Sequence, residues 1–187
     1  MRKIFILYGG KILFKDLETQ RLILKSISRN DRDFIFSHFS DNVVTQYLYD
    51  NEPLMDINGA DEIIKFYIQP EPRSQHRWIM VKKDDGTKIG TCGFHCWDIE
   101  KSTVEVGYDL KEAFWGNGYM HEALKEIIAY AFKSMNIDRI DAVIFVKNPK
   151  SISVVEQLGF SFNGKTKNEV FRGSEYLHHI YSIYSTK

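Results

Sequence analysis

The chain is predicted to fold as an α+β protein, with a central mixed, mostly antiparallel sheet of six to seven strands flanked by helices. Three observations predict it. Asp85-Gly86, a dipeptide suited to tight reversal, sits between two strand-like runs at 77–83 and 88–97, which makes an antiparallel hairpin. From Tyr119 to Met135, apolar Met120, Ala123, Leu124, Ile127, Ile128, Ala131 and Met135 recur at helical spacing, with Lys125, Glu126 and Lys133 outside. That helix separates two further strand-like runs, 104–110 and 139–146, and such a crossover makes its two strands parallel.

The remaining elements follow in order. Arg21 to Ser26 reads as the first strand, with Leu22 and Leu24 on one face. Ser28 or Asn30 can cap a helix running to about Phe39. Asp56 to Ile68 reads as a second helix, apolar through Ile57, Ala60, Ile64 and Ile68. Asn136 suits the left-handed residue that ends the long helix. A short helix over Ser151 to Leu158 stops at Gly159, and two last strands, about 161–171 and 176–184, join at Arg172-Gly173-Ser174.

A chain of 187 residues suits one well-cored domain. Residues 17–187 are read as that domain, and residues 1–16 as an N-terminal extension that could add a strand. Twenty-five basic residues balance twenty-five acidic ones, which argues against a nucleic-acid partner and gives no steering toward a charged membrane. No apolar run reaches the roughly 18 residues that span a bilayer. Cys92 and Cys96 lie in one expected strand, roughly 13 Å apart and beyond disulfide reach, so both are read as reduced core thiols of a cytoplasmic protein. Strand alternation would put His95 on the opposite face from them, so no metal site is expected.

The segment Phe114-Trp-Gly-Asn-Gly-Tyr-Met-His-Glu-Ala-Leu124 carries the clearest chemistry. Gly116 and Gly118 let the backbone approach a ligand closely, and the first amides of the following helix have no carbonyl partners. With the positive end of the helix dipole this makes an anion socket suited to a phosphate or pyrophosphate. No Lys-Ser or Lys-Thr follows the glycines and no full Gly-x-Gly-x-x-Gly is present, so a generic nucleotide site is disfavoured.

The chain resembles the GNAT superfamily of N-acetyltransferases, in its ribosomal-protein-alanine acetyltransferase branch. The likeness runs in order from about Leu17 to Tyr184: Glu18 to Leu24, Ile89 to Gly93, Val104 to Tyr108, Trp115 to Tyr119 with Glu122-Ala123-Leu124, Asn148 to Ser153, Leu158-Gly159-Phe160, and Tyr181-Ser182. It implies the GNAT fold, with the sheet splayed between the fourth and fifth of the expected strands. It also implies acetyl-CoA as co-substrate, its pantetheine lying beside Tyr108 to Leu110 and its pyrophosphate on Trp115, Gly116, Asn117, Gly118, Tyr119 and Met120. The family's phosphate pattern ends in Gly or Ala, where this chain has Met120, a larger side chain near the phosphates. Asn148 resembles the family's pantetheine-contacting asparagine, and Ser151 a serine near the cofactor sulfur. The tyrosine that often protonates the leaving thiolate is replaced by Val155, and an aspartate of many relatives by Leu177.

Glu105 is the candidate base, directly or through water, because a carboxylate between Val104 and Val106 in a central strand needs a reason. Ion pairing on a sheet face would be another. Ser151 is the candidate hydrogen-bond donor to thioester or thiolate, or else a helix cap shared with Asn148. His95 could face the acceptor, His121 could touch a phosphate, and of His178 and His179 one should lie inside and one out. Tyr47, Tyr49, Trp78, Phe94 and Trp97 could line an acceptor pocket, although at 14% aromatic content most belong to the core. The expected activity is direct acetyl transfer to a primary amine, best a protein or peptide N-terminal α-amine. A small-molecule amine and a non-catalytic acyl-CoA-binding module stay open, as does the oligomeric state, a homodimer included.

Overall fold

The structure is a computed structural model and describes residues 14–48, 52–71, 73–171 and 173–186. Residues 1–13 of the expected extension, Tyr49 and the turn residue Arg172 lie outside the described residues. Where the described chain begins, Phe14 is buried and stacks on His76 at 4.4 Å, and Trp78 Nε1 donates to the Lys15 carbonyl at 2.9 Å.

The strands are β1 (Leu17–Glu18), β2 (Leu22–Ser26), β3 (His76–Lys82), β4 (Lys88–Asp98), β5 (Thr103–Leu110), β6 (Arg139–Phe145), β7 (Ser161–Phe171) and β8 (Ser174–Tyr184). The helices are α1 (Arg32–Phe39), α2 (Asn42–Thr45), α3 (Asn58–Tyr67), α4 (Tyr119–Ser134) and α5 (Pro149–Gln157). One sheet runs β1-β2-β3-β4-β5-β6-β8-β7, antiparallel throughout except for the parallel pair β5–β6 around the α4 crossover. The strand beyond the expected seven is β1, two residues at one edge and too short to show a period. Helix α2 has no counterpart among the expected elements; a single turn carries no periodicity, and Asp41 Oδ1 starts it by accepting from the Val43 amide at 2.8 Å.

Local chemistry accounts for most boundaries. Ser28 donates from its amide and its hydroxyl to Asp31, both at 2.8 Å, fixing a 3-10 turn that leads into α1. Gly86 takes φ +73 in the β3–β4 turn, and Asn136 takes φ +53 just beyond α4. The apolar stripe of α4 is buried from Met120 to Ala131, packing with Trp78, Cys92, Phe94, Val104 and Val106 against one face of the sheet. On the other face a second core gathers Ile27, Ile35, Ala60, Ile64, Ile79 and Val81 under α1 and α3.

Two irregularities in the sheet shape the surroundings of β5. The β5–β6 pairing holds only at Thr103↔Arg139, Val104↔Ile140 and Glu105↔Asp141, so beyond Glu105 the two strands part. In β4, His95↔Glu105 is followed by Asp98↔Thr103, a bulge in which Cys96 adopts φ +53. The bulge corrects two expectations. Cys92 is a core thiol, but Cys96 is exposed; and because alternation fails there, His95, Cys96 and Glu105 bring one ligand-type atom each within 4.8 Å of one another.

Candidate active site

The socket is built as its sequence suggests. Gly116 and Gly118 take φ +74 and +75, a region costly for other residues, and Gly118 is the N-cap of α4 with no side-chain cap bond. The first-turn amides are therefore left for a ligand. A Cβ at Gly116 would meet nothing within 4 Å, so the space in front of the loop is open. Trp115 Nε1 donates to the Leu110 carbonyl at 2.9 Å and Asn117 Nδ2 to the Trp115 carbonyl at 3.0 Å, tying the loop to the end of β5.

Arg21, which sequence reasoning passed over, holds the other side of the loop. Its Nη1 donates to the Asn117 carbonyl at 2.9 Å, its Nε to Glu122 at 2.6 Å, and its guanidinium lies 4.4 Å from the Tyr119 ring centroid. Glu122 also accepts from Thr19 Oγ1 and the Arg21 amide; burial alone would raise its carboxyl, but these bonds and the guanidinium hold it below the usual range. Lys150 Nζ sits 3.7 Å from the Trp115 ring centroid. Arg21, itself paired with Glu122, and Lys150 thus stand on either side of the loop. Met120 corrects an expectation: its side chain is buried in the core below α4, so it presents only its backbone to the loop.

Across β5 the two faces do different things. Tyr108, on the α4 side, donates its hydroxyl to the Ser151 carbonyl at 3.1 Å and accepts from Ser151 Oγ at 3.0 Å. Burial pushes the phenol up to about 12, so it keeps its proton and acts as a hydrogen-bonding group. Asn148 is the cap of α5, its Oδ1 accepting from the Ser151 amide at 3.2 Å, which leaves Ser151 inside the first turn and its hydroxyl on Tyr108. Val155 is fully buried where a tyrosine was sought, and Leu177 is exposed.

The opposite face carries Glu105, Gly107 and Asp109. Glu105 lies directly across from His95, with Oε2 and Nε2 3.3 Å apart, and the hydrogen bond from His95 holds its carboxyl below the usual range. Asp109 is buried with Arg77 Nη1, His38 Nε2 and Thr91 Oγ1, the first two at 2.6 Å. Burial alone would raise this carboxyl, yet His38, Arg77 and Thr91 together hold it down. Arg77 was missed because it stands at the polar edge of the run Trp78-Ile79-Met80-Val81, after Ser74-Gln75-His76, where a cation interrupts nothing, unlike Glu105 between two valines. His38 Nδ1 and Arg77 Nε are buried with no hydrogen-bond partner among the described residues.

Across the gap left by β6, Phe145 stands near Tyr47 (6.2 Å), Tyr176 (5.6 Å) and His178 (5.7 Å), ring centroid to centroid. Trp78, Phe94 and Trp97 do not join this wall; they are buried in the core on the α4 side, Trp78 and Phe94 because their strand positions alternate with Arg77 and His95, and Trp97 because the bulge at Cys96 shifts the alternation beyond His95. His178 is buried, with Nδ1 2.8 Å from the Tyr176 carbonyl, and His179 is half-buried against Phe162 at 4.4 Å. His121 lies in the first turn of α4, half-buried.

Comparisons with known proteins agree with this geometry. The family described as acetyltransferase (GNAT) domain matches residues 21–161. An N-acetyltransferase of Bacillus subtilis (strain 168), YoaA, named as uncharacterized, is 32% identical over 91% of this chain and 97% of its own. Among solved structures, spermidine N-acetyltransferase from Vibrio cholerae in complex with CoA and spermine superposes with a TM-score of 0.78 at 19% identity, covering 89% of this chain and 97% of that one. Ribosomal-protein-S5-alanine acetyltransferase from Vibrio fischeri gives 0.77 at 21% identity, over 92% and 97%. At such identities the two structures establish the fold.

Proposed function

The chain belongs to the GNAT acetyltransferase family, and we propose that this acetyl-CoA-dependent N-acetyltransferase acts on the α-amine of a peptide or protein N-terminus. The observation that carries the acceptor class is the state of the carboxylates on the acceptor face of β5. Glu105 is engaged by His95, and Asp109 by Arg77, His38 and Thr91. A polyamine site needs uncompensated negative charge to hold several ammonium groups; Asp109 is already neutralised by Arg77, which leaves Glu105, half-buried against His95, as the one carboxylate on this face, among the described residues, without a permanent cation beside it. An extended peptide needs main-chain partners and room instead, and the parting of β5 from β6 beyond Glu105 supplies free strand edges. An α-amine, with an ordinary pKa of about 7.7–8.0 against about 10.4 for lysine, also gives up its proton more easily near neutral pH.

In this reading the open amides from Gly116 to Met120 hold the pyrophosphate, flanked by Arg21 and Lys150, and Trp115 and Asn117 keep the loop in place. The edge of Tyr108 to Leu110 and Asn148 receive the pantetheine. The Tyr108–Ser151 hydroxyl pair offers hydrogen bonds to the sulfur as charge develops on it, on the opposite face of β5 from Glu105. Glu105 supplies the carboxylate that proton removal from the amine relies on.

Acetyl-CoA consumption, read as free thiol, should be compared for a short peptide, the same peptide with a blocked N-terminus, and spermidine. The free peptide is expected to react fastest. A preference for spermidine, or equal rates on blocked and free peptide, overturns the acceptor class.

A further inference from the structure

We infer that His95 is the group that takes the proton from the acceptor amine, and that Glu105 is the positioning residue that fixes its tautomer. The inference rests on the acetyl-transfer reading above but not on the choice between peptide and other amines. His95 and Glu105 face each other across the β4–β5 ladder, so their side chains meet on the acceptor face, with Nε2 3.3 Å from Glu105 Oε2. A carboxylate can only accept, so this contact places the ring proton on Nε2 and leaves the lone pair on Nδ1. Nδ1 has no hydrogen-bond partner among the described residues.

Gly107 then gains a specific role. A Cβ there would lie 3.1 Å from His95 Cε1, 3.4 Å from Nδ1 and 3.6 Å from Arg77 Nη2. The ring therefore lies over the glycine, and its free nitrogen stands beside the stretch of β5 that has left β6. The His95 side chain is 37% exposed, which leaves it accessible to an acceptor. Glu105 is held below the usual carboxylate range by the same contact, which makes it a weak base for an ammonium, whereas imidazole is the side chain suited to proton transfer near neutrality.

The step balances. One ammonium proton passes to Nδ1, and the freed lone pair forms the N–C bond at the thioester carbonyl carbon. The C–S bond breaks with its electron pair on sulfur; the nitrogen loses its second proton as the thiolate takes one up, and the imidazolium returns its proton to solvent. The charged or titratable groups around the ring are Glu105 from β5, the adjacent Cys96 thiol, Arg77 from β3, and Lys167 from β7, which acts on both Glu105 and Cys96.

The test compares His95→Ala, His95→Gln and Glu105→Gln, using whichever amine the parent enzyme turns over fastest, with acetyl-CoA affinity as a control on folding. Both His95 variants should lose about 10²-fold or more in kcat/KM near pH 7 and recover partly at high pH, where the free amine is plentiful. Glu105→Gln should lose about tenfold, with the base's limb of the pH profile moved to lower pH. His95 variants within a few-fold of the parent, beside a 10²-fold loss in Glu105→Gln, would make the carboxylate the base and sink the inference. A second reading needs no acceptor: two-bond ¹H–¹⁵N correlation of the neutral His95 ring should show the proton on Nε2 in the parent and a mixed tautomer in Glu105→Gln. A dominant Nδ1–H form in the parent overturns the inference whatever the acceptor proves to be.

Discussion

The proposed phosphate socket follows the end of β5 and the proposed acceptor face runs along one side of the same strand, and the two are made in opposite ways. The socket comes almost wholly from one continuous segment, Trp115 to Met120, and its donors are backbone amides released by a helix start. The acceptor face takes Arg77 from β3, Thr91 and His95 from β4, Glu105 and Asp109 from β5, and His38 from α1. Its groups work only by compensating one another in a buried or half-buried setting. A site made of backbone tolerates side-chain change and fails when φ changes, whereas a site made of coupled charges fails when one partner is removed.

The largest expected effect breaks the acceptor face. Asp109→Asn would leave the Arg77 guanidinium buried without its carboxylate, and breaking such a pair costs about 3–5 kcal/mol. Chemical denaturation should show a loss of that size; a loss under about 1 kcal/mol would mean that Arg77 and His38 reach solvent. The pH dependence has a defined sign. Asp109 is depressed in the folded protein, so its contribution is present above the unfolded value of about 3.9 and disappears as pH falls through the folded value. The parent should therefore lose stability below about pH 4 more steeply than the Asn variant.

The next effect tests the backbone character of the socket. Gly118→Val forces a β-branched residue into φ +75, with its Cβ 3.5 Å from Arg21 Nη2. Strain of about 1–3 kcal/mol, if released by turning the amides away, corresponds to about five- to 150-fold weaker acetyl-CoA binding. Unchanged affinity, measured by calorimetry, would mean that the loop does not hold the pyrophosphate. Arg21→Gln should be milder, about tenfold in affinity with kcat nearly unchanged, since it loosens the Asn117 carbonyl and removes one flanking charge. An equal fall in kcat would tie Arg21 to the chemistry instead.

This contrast explains how much could be read from the sequence. The α4 stripe, the Asp85-Gly86 turn, the left-handed Asn136 and the glycine loop each depend on residues within a few positions, and each stands as expected. Glu105 was conspicuous because a carboxylate interrupts an apolar strand. Its partner was not, because the His95↔Glu105 pairing depends on strand register and no local signal carries that. Met120 looked like a phosphate neighbour in the motif, yet helical phase turns its side chain into the core. Ser151 and Asn148 competed for one cap, and only the geometry of the first turn of α5 assigned it to Asn148. Trp78, Phe94 and Trp97 were offered for the acceptor pocket because composition cannot say which face of a strand is lined.

The smallest expected effect probes the bulge that ends the His95–Glu105 register. Cys96 holds φ +53, which costs an ordinary residue roughly 1–2 kcal/mol. Glycine would relieve that strain but enlarges the entropy of the unfolded chain, which offsets about 0.4–1 kcal/mol of the gain. Asparagine tolerates the left-handed region without that loss, so Cys96→Asn should exceed both parent and Cys96→Gly in stability by about 0.5 kcal/mol, or roughly 1–2 °C in Tm for a chain of this size. Cys96→Val should go the other way, because a β-branched residue resists φ > 0 and pulls the strand toward regular pairing. If the bulge matters only as backbone, Cys96→Asn keeps turnover within a few-fold while Cys96→Val loses both stability and rate. A tenfold loss of turnover in the better-folded Asn variant would instead show that the exposed thiol beside His95 and Glu105 takes part in the work of the acceptor face.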